Sequence, residues 1–260
     1  MAQGQNVSSE QTIASVLFPN QASDIKTLKY TQSGRVKKII DAHTILLQNS
    51  DIIRLTSITI SDRGDLGGQA FLYLQNILPA GTQIMLYQPR NAKKGQFNAR
   101  VNRMGHQLAH VVIKQNNIWV QGSLLSRGLA YVDLSLLSTE LFADLYEAES
   151  IAMDQKRGMW GDEDHKAIQA ADNVKIGAFQ IIEGRVLKVA STRNNIFLNF
   201  GENWKEDFTI MITPKLRQKL SREGINLFVL EGQKIRVRGW VRDYNGPLIE
   251  LDTPEHLQIL

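Results

Sequence analysis

Cysteine is absent from all 260 residues, which removes disulfides, thiolate metal sites and a cysteine nucleophile from consideration. Long hydrophobic runs are missing too. The apolar stretch nearest the start, Ile13 to Phe18, is interrupted by Ser15 and falls far short of the ~20 residues that cross a bilayer. No basic segment precedes a hydrophobic core there, so the opening does not read as a signal peptide. There is no P-loop, no Gly-x-Gly-x-x-Gly after a strand and no Gly-x-Ser-x-Gly, which excludes the usual phosphate cradles and the hydrolase elbow. Excess charge of one sign is small. Thirty Lys and Arg stand against 26 Asp and Glu, a formal +4 that permits a polyanionic partner without indicating one. What is present is the composition of a soluble globular chain, 43% apolar and 22% charged, long enough for two ordinary domains.

Residues 1–27 are polar, rich in Gln, Ser and Asn, and read as a flexible lead-in. From Leu28 the pattern turns to β, with alternation over Gly34 to Ile40, Thr44 to Gln48 and Asp51 to Ile60 around a tight Asp41-Ala42-His43 turn. Helical spacing over Gly67 to Leu78 brings Ala70, Phe71, Leu74, Ile77 and Leu78 to one face, and Pro79 and Gly81 end it. A second long amphipathic helix spans Leu137 to Gly158, with Leu141, Leu145, Ala148, Ile151 and Ala152 expected inward. The first domain therefore runs over 28–162, and an acidic linker occupies 163–173. In 174–260 the order is three strands, a helix from Pro214 to Glu223, then two strands joined at Asn245-Gly246, which is the order of an OB-type barrel.

Six short motifs in the first domain carry a resemblance. They are V-x-x-I-I-D-A-H-T at 36–44, I-R-L-T-S-I at 53–58, G-G-Q-A at 67–70, N-R-M-G-H-Q-L-A-H-V at 102–111, S-R-G-L-A-Y-V at 126–132 and E-A-E-S-I-A-M-D-Q-K-R-G-M-W at 147–160. In that order and spacing they resemble the staphylococcal-nuclease (thermonuclease) family across about half the chain. The resemblance implies a small OB-type barrel with packed helices. The expected fold is thus mostly β with packed helices, two tandem OB-type barrels, the first staphylococcal-nuclease-like. The same residues also read as pure fold specification, since Gly128 ends a helix and Gly158-Met159-Trp160 closes another with an apolar plug.

The resemblance further implies a phosphodiester-cleaving site that needs carboxylates for a hard cation, a carboxylate to activate water, two arginine clamps and aromatic rings. Here the family's Asp-Gly-Asp-Thr turn is Asp41-Ala42-His43-Thr44, and its other ligating Asp is Thr59. Asp41 reads as outer-shell or turn-forming. Arg54 holds the first clamp position, Asp62 stands for the base, and His106 replaces the second clamp. Asn102 and Met104 replace the motif's Asp and Tyr, and Leu134 another nucleotide-contacting Tyr. A site so altered implies a pseudoenzyme with no cofactor and no calcium. The competing reading gathers His43, Asp62 and His106 around Zn²⁺, Mn²⁺ or Fe²⁺, against which His43 is a turn residue and His106 a hairpin residue. His110, on a strand, reads as half-buried structure.

Binding residues are sought among basic and aromatic side chains. Lys93 and Lys94 lie in a basic loop with Arg90, Arg100 and Arg103. In the second domain Arg236, Arg238 and Arg242 alternate along one strand, with Trp204 and Tyr244 as stacking candidates. The plain alternative is that the arginine row is a solvated strand face, as are Lys215, Arg217, Lys219 and Arg222 on the helix. The function expected is binding, of nucleic acid or a protein partner, without hydrolysis. Two alternatives are a phosphodiesterase with an altered metal site and a structural or assembly subunit. Exported members of the resembled family and the lack of cysteine make an envelope or secreted compartment the expectation for a soluble protein whose leader lies outside this chain.

Overall fold

Alternating apolar residues bury one side of each strand, and short turns then join the strands into ladders. The structure is a computed structural model and describes residues 25–60, 65–90, 100–133, 141–162, 167–172, 174–203 and 205–260. They divide into two units, 25–162 and 167–260. Both are predominantly β. Among the described residues no helix is long and apolar enough to cross a membrane.

In the first unit a 3₁₀ turn, Ile25–Thr27, leads into β1 (Lys29–Asp41), β2 (Thr44–Leu47), β3 (Ile52–Leu55) and β4 (Ile58–Thr59). Helix α1 (Leu66–Ile77), β5 (Gln83–Gln88), β6 (Gln107–Ile113), α2 (Val120–Leu125), β7 (Tyr131–Val132) and α3 (Phe142–Asp154) follow. The five strands β1-β2-β3-β6-β5 form a closed barrel. Its closure rests on β1, whose Lys29 to Arg35 pair with β5 while Val36 to Asp41 pair with β2. Register shifts in β1 mark bulges, which sharpen the twist that closure needs. Strands β3 and β6 are parallel, with Arg54 opposite Leu108. Val36, Ile45, Leu47, Ile53, Ile84, Leu86 and Val111 fill the interior without exposure.

Helix α1 buries Leu66, Ala70 and Leu74 at four-residue spacing. Its Tyr73 hydroxyl meets Ser123 of α2, and the Arg127 guanidinium lies 4.9 Å over the Tyr73 ring. The inward face of α3 holds Leu145 and Ala152, with Leu141 just before it, as the spacing suggests, but not Ile151. Phe142, Leu145, Tyr146, Glu149 and Ala152 are buried, whereas Ile151 is 41% exposed. Glu149 takes the inner position because its carboxylate accepts the Val132 N–H of β7 at 2.7 Å.

The second unit holds β8 (Ile168–Gln169), β9 (Phe179–Arg185), β10 (Lys188–Ser191), β11 (Ile196–Asn199), β12 (Thr209–Ile212), α4 (Pro214–Arg222), β13 (Lys234–Asp243), β14 (Pro247–Leu251) and β15 (Leu257–Ile259). They form one curled sheet in the order β10-β11-β12-β14-β13-β9-β8, with β15 on β13. Strands β12 and β14 are parallel and the β13–β14 pair antiparallel, as in the first barrel's β3–β6 and β5–β6 pairs. Where β1 is a single long strand, β9 and β10 divide its work: β9 pairs with β13 and β10 with β11. Strand β8 lies in the stretch that the sequence assigned to a linker. Ile168 pairs in parallel with Ile182 of β9, so the linker's second half belongs to this sheet.

Two glycines meet where the α2 turn approaches the end of α3. Gly128 and Gly158 both have positive φ, 67° and 52°, and Met159 N–H donates to Gly128 O at 3.0 Å. A Cβ on Gly158 would lie 2.5 Å from the Gly128 carbonyl oxygen, and one on Gly128 would overlap the Arg157 carbonyl. Replacing Gly128 by Ala should therefore cost more than the ~1–2 kcal/mol of a left-handed residue alone, read by urea unfolding. Gly67→Ala is the control. It meets nothing within 4 Å and should be neutral or stabilising by up to ~1 kcal/mol. Equal effects of the two changes would contradict the close approach.

Candidate functional site

The turn between β1 and β2 is fixed by its own polar side chains. Asp41 Oδ1 accepts the His43 N–H at 2.7 Å, a local turn bond. The His43 ring then reaches across to the residue after β4, where Nε2 accepts the Ile60 N–H at 3.2 Å. An imidazole nitrogen that accepts carries no proton, so the neutral ring holds its proton on Nδ1. In this arrangement the Nε2 lone pair, which the metal reading would give to a cation, is taken by the Ile60 N–H. Next to it, Thr59 Oγ1 donates to Asp133 Oδ2 at 2.8 Å, and Asp133 N–H donates to Ser57 O at 3.1 Å. Asp133 was not among the sequence candidates. Its only signal was a carboxylate directly after the A-Y-V stretch.

Arg54 projects from β3, half-buried, with Thr44 and Leu108 as its partners across the ladder. It has no hydrogen bond or ion pair among the described residues. His106 comes just before β6 and shares Leu108's face by alternation, which sets it on the side of the ladder where Arg54 stands. Asn102 builds its loop: Asn102 Oδ1 accepts from the N–H groups of Met104 and His106, both at 3.0 Å. Met104 is 77% exposed. The His106 Nδ1 is shut from solvent with no hydrogen-bond partner among the described residues. Asp62, Lys93, Lys94, Leu134 and Trp204 lie outside the described residues. Among the described residues no group of three His, Asp or Glu side chains could hold a metal.

The basic loop and the β13 arginines take up different work from that expected. Arg90 donates to the carbonyls of Lys26 and Thr27, and Arg100 to those of Pro89 and Arg90. These guanidinium donors are occupied by backbone. On β13 the arginines do not share one environment, with Arg242 exposed and Arg236 half-buried. Arg238 is 1% exposed, which corrects its assignment as a nucleic-acid contact. Arg236 is clamped by Glu183 at 2.5 Å, with Lys234 3.5 Å from the same carboxylate. Arg242 pairs with Glu250 at 2.9 Å. A phosphate reaching Arg236 would have to displace a nearly buried carboxylate.

An open groove of about 810 Å³ lies on the outer face of β10, β11 and β12. Leu187, Phe197, Leu248 and the 60%-exposed Tyr244 supply its apolar and aromatic lining. Its charges are mixed, Lys188 against Glu202 and Glu231. Glu231 is partly committed, since its Oε2 accepts the Val189 N–H of β10 at 2.9 Å. Trp240, 64% exposed, meets Phe179 edge-on at 6.2 Å.

His110, expected half-buried, is 2% exposed. The Trp119 indole N–H can only donate, and it does so to His110 Nδ1 at 3.3 Å. Nε2 therefore carries the proton and faces Ser57 Oγ at 3.3 Å. In this tautomer the ring cannot take a proton from Ser57, so the pair is no nucleophile and base. Burial lowers the His110 pKa from 6.5 to about 3. The unfolded chain takes up this proton below pH 6.5 and the folded one does not. Above pH 6.5 the effect is absent, and as pH falls toward about 3 stability is lost at about 1.4 kcal/mol per unit. Between pH 7 and pH 5 the wild type should lose about 2 kcal/mol more than His110→Asn, read from paired denaturant curves. Parallel losses in both proteins would show that His110 titrates as an exposed histidine.

No protein-family model matches the chain, and no curated protein sequence matches it.

Proposed function

We propose that the protein is a nuclease-like binding protein, built of two tandem OB-type barrels, that holds a macromolecular partner without hydrolysing phosphodiester bonds. One observation carries this reading: the His43 ring accepts the Ile60 N–H. The resemblance assigns a cation's carboxylate ligand to position 43 and a ligating carbonyl to position 60. Here a neutral hydrogen bond links the two. At position 59, the other ligand position, Thr59 gives its hydroxyl to Asp133. Calcium prefers 6–8 oxygens, several of them charged, and this arrangement offers few. The barrel reading is supported by the strand connectivity of both units, a parallel pair flanked by antiparallel ones with a helix before the last two strands. The groove beside Tyr244 lies on β10, β11 and β12 and the β13–β14 hairpin of the second sheet, a face of the kind on which barrels of this type take extended ligands.

A second reading, a phosphodiesterase with altered metal use, draws on Arg54 and Asp133. An arginine half-buried and unpaired among the described residues is a ready partner for a phosphate. The two readings separate experimentally. A ligand present at 100 times its Kd stabilises by about 2.7 kcal/mol, so calcium binding would raise the Tm visibly. The wild type should show no Tm change in millimolar Ca²⁺ and no Ca²⁺-dependent cleavage of DNA or RNA. The double substitution His43→Asp, Thr59→Asp should introduce a Tm rise that chelator removes. Cleavage by the wild type that disappears in Arg54→Ala would overturn the binding-only reading.

A further inference from the structure

Arg236 and Arg242 of β13 are paired with carboxylates, but among the described residues the cations of α4 are not. Thr213 caps this helix, its Oγ1 accepting the Leu216 N–H at 3.3 Å, and Pro214 opens the first turn. Leu216 and Leu220, each 1% exposed, fix the inward side. Lys215, Lys219 and Arg222 are exposed and follow the i, i+4, i+7 spacing that lines up along one helix face. At 1.5 Å per residue the row is roughly 10 Å long. Arg217 lies beside it and donates to the Thr192 carbonyl at 2.9 Å, next to exposed Arg193. None of Lys215, Lys219, Arg222 or Arg193 forms an ion pair or side-chain hydrogen bond among the described residues.

The charge count sharpens the contrast. In 174–260, nine basic and ten acidic residues lie outside α4, while the helix has four basic residues and no acidic one. The positive charge of this unit is the charge of α4. Like charges at Lys215 and Lys219 repel and Lys215 in the first turn opposes the helix dipole, whereas Lys219 and Arg222 in the last turn suit it. A row not neutralised by the described residues of its own unit suits an external polyanion.

We propose that α4 grips the phosphate backbone of a nucleic acid, with Lys215, Lys219 and Arg222 on successive phosphates and Arg193 and Arg217 flanking them. The proposal rests on the reading of this protein as one that binds without cutting, and it names the class of partner. A lipid surface fits less well. An interfacial helix buries its apolar face in the bilayer, and the apolar face of α4 is already spent on Leu216 and Leu220 in the core. With contacts to phosphates alone, binding should be indifferent to sequence.

The test is fluorescence anisotropy of the full chain with a labelled single-stranded dT oligonucleotide across a salt series. Each phosphate neutralised on a single strand contributes about 0.7 to the log–log slope. Lys215→Gln, Lys219→Gln, Arg222→Gln together should flatten the slope by about 2 and weaken binding at least tenfold at low salt. Lys215→Arg with Lys219→Arg should retain it, and Arg242→Gln should leave it unchanged. Matching melting curves show that each variant is folded, and should the triple variant unfold, the three single Gln variants serve, each expected to flatten the slope by about 0.7. Wild-type affinity and slope in the Gln variants would overturn the proposal. So would absence of oligonucleotide binding at low salt, or binding to phosphatidylserine vesicles alone. Gel analysis of the recovered oligonucleotide keeps the two readings apart: cleavage sinks the non-hydrolytic reading, whereas unchanged binding by the Gln variants sinks only the role of α4.

Discussion

A small barrel closes only if one strand is hydrogen-bonded along both edges, and in the first unit that duty falls to β1. Its first half pairs with β5 and its second with β2, so the strand must bend sharply between them. Gly34 sits next to this changeover, and a Cβ there would lie 2.5 Å from Leu47 Cδ1, inside the packed interior. The placement of the candidate site follows from this. Once β1 ends at Asp41, the turn to β2 brings His43 to Ile60, and the parallel β3–β6 pair sets Arg54 opposite Leu108. The second unit's curled sheet carries a break at the corresponding place. Val186 and Leu187 part β9 from β10, and bonds from Val186 and Gly232 link the break to the start of β13. Glu231 covers the Val189 N–H that β10 leaves open.

In the first site the turn, β4 and the residue after β7 are tied by hydrogen bonds. Carboxylates crowded around a cation repel one another and need the ion to stay together. Here the His43 ring ties the turn to the residue after β4, and Thr59 ties β4 to Asp133 after β7. Such bonds contribute about 1 kcal/mol each and require no ion. His106 adds a ring with one nitrogen shut from solvent, and Arg54 a half-buried guanidinium.

Much of the frame was legible because β periodicity is a direct consequence of burying one face. The alternating stretches Gly34 to Ile40 and Thr44 to Gln48 fall on β1 and β2, Asp51 to Ile60 covers β3 and β4, and Pro214 and Gly81 bound their elements as expected. Other features depend on contacts distant in sequence. Ile151 reads as core until Glu149 is seen to serve Val132, 17 residues away. Strand β8 has only two residues and exists because Ile182 offers it an edge. Asp133 becomes part of the site only through Thr59, 74 residues earlier. His110 looked like one more strand residue, and its full burial depends on Trp119 and Ser57 supplying both ring nitrogens with partners.

Charge was the least legible quantity, because a sequence reports how much there is and not what it faces. The β13 row and the α4 row carry comparable numbers of basic residues at regular spacing. A strand, however, has neighbours on both sides at about 5 Å, close enough for a carboxylate on the next strand to lie directly opposite. Glu183 opposite Arg236 does this on β9, and Glu250 on β14 reaches Arg242. A helix packed by one face has no such neighbour along its outer side. Lys215, Lys219 and Arg222 therefore keep their charge unshared among the described residues, and α4 adds four positive charges to a unit whose other charges nearly balance.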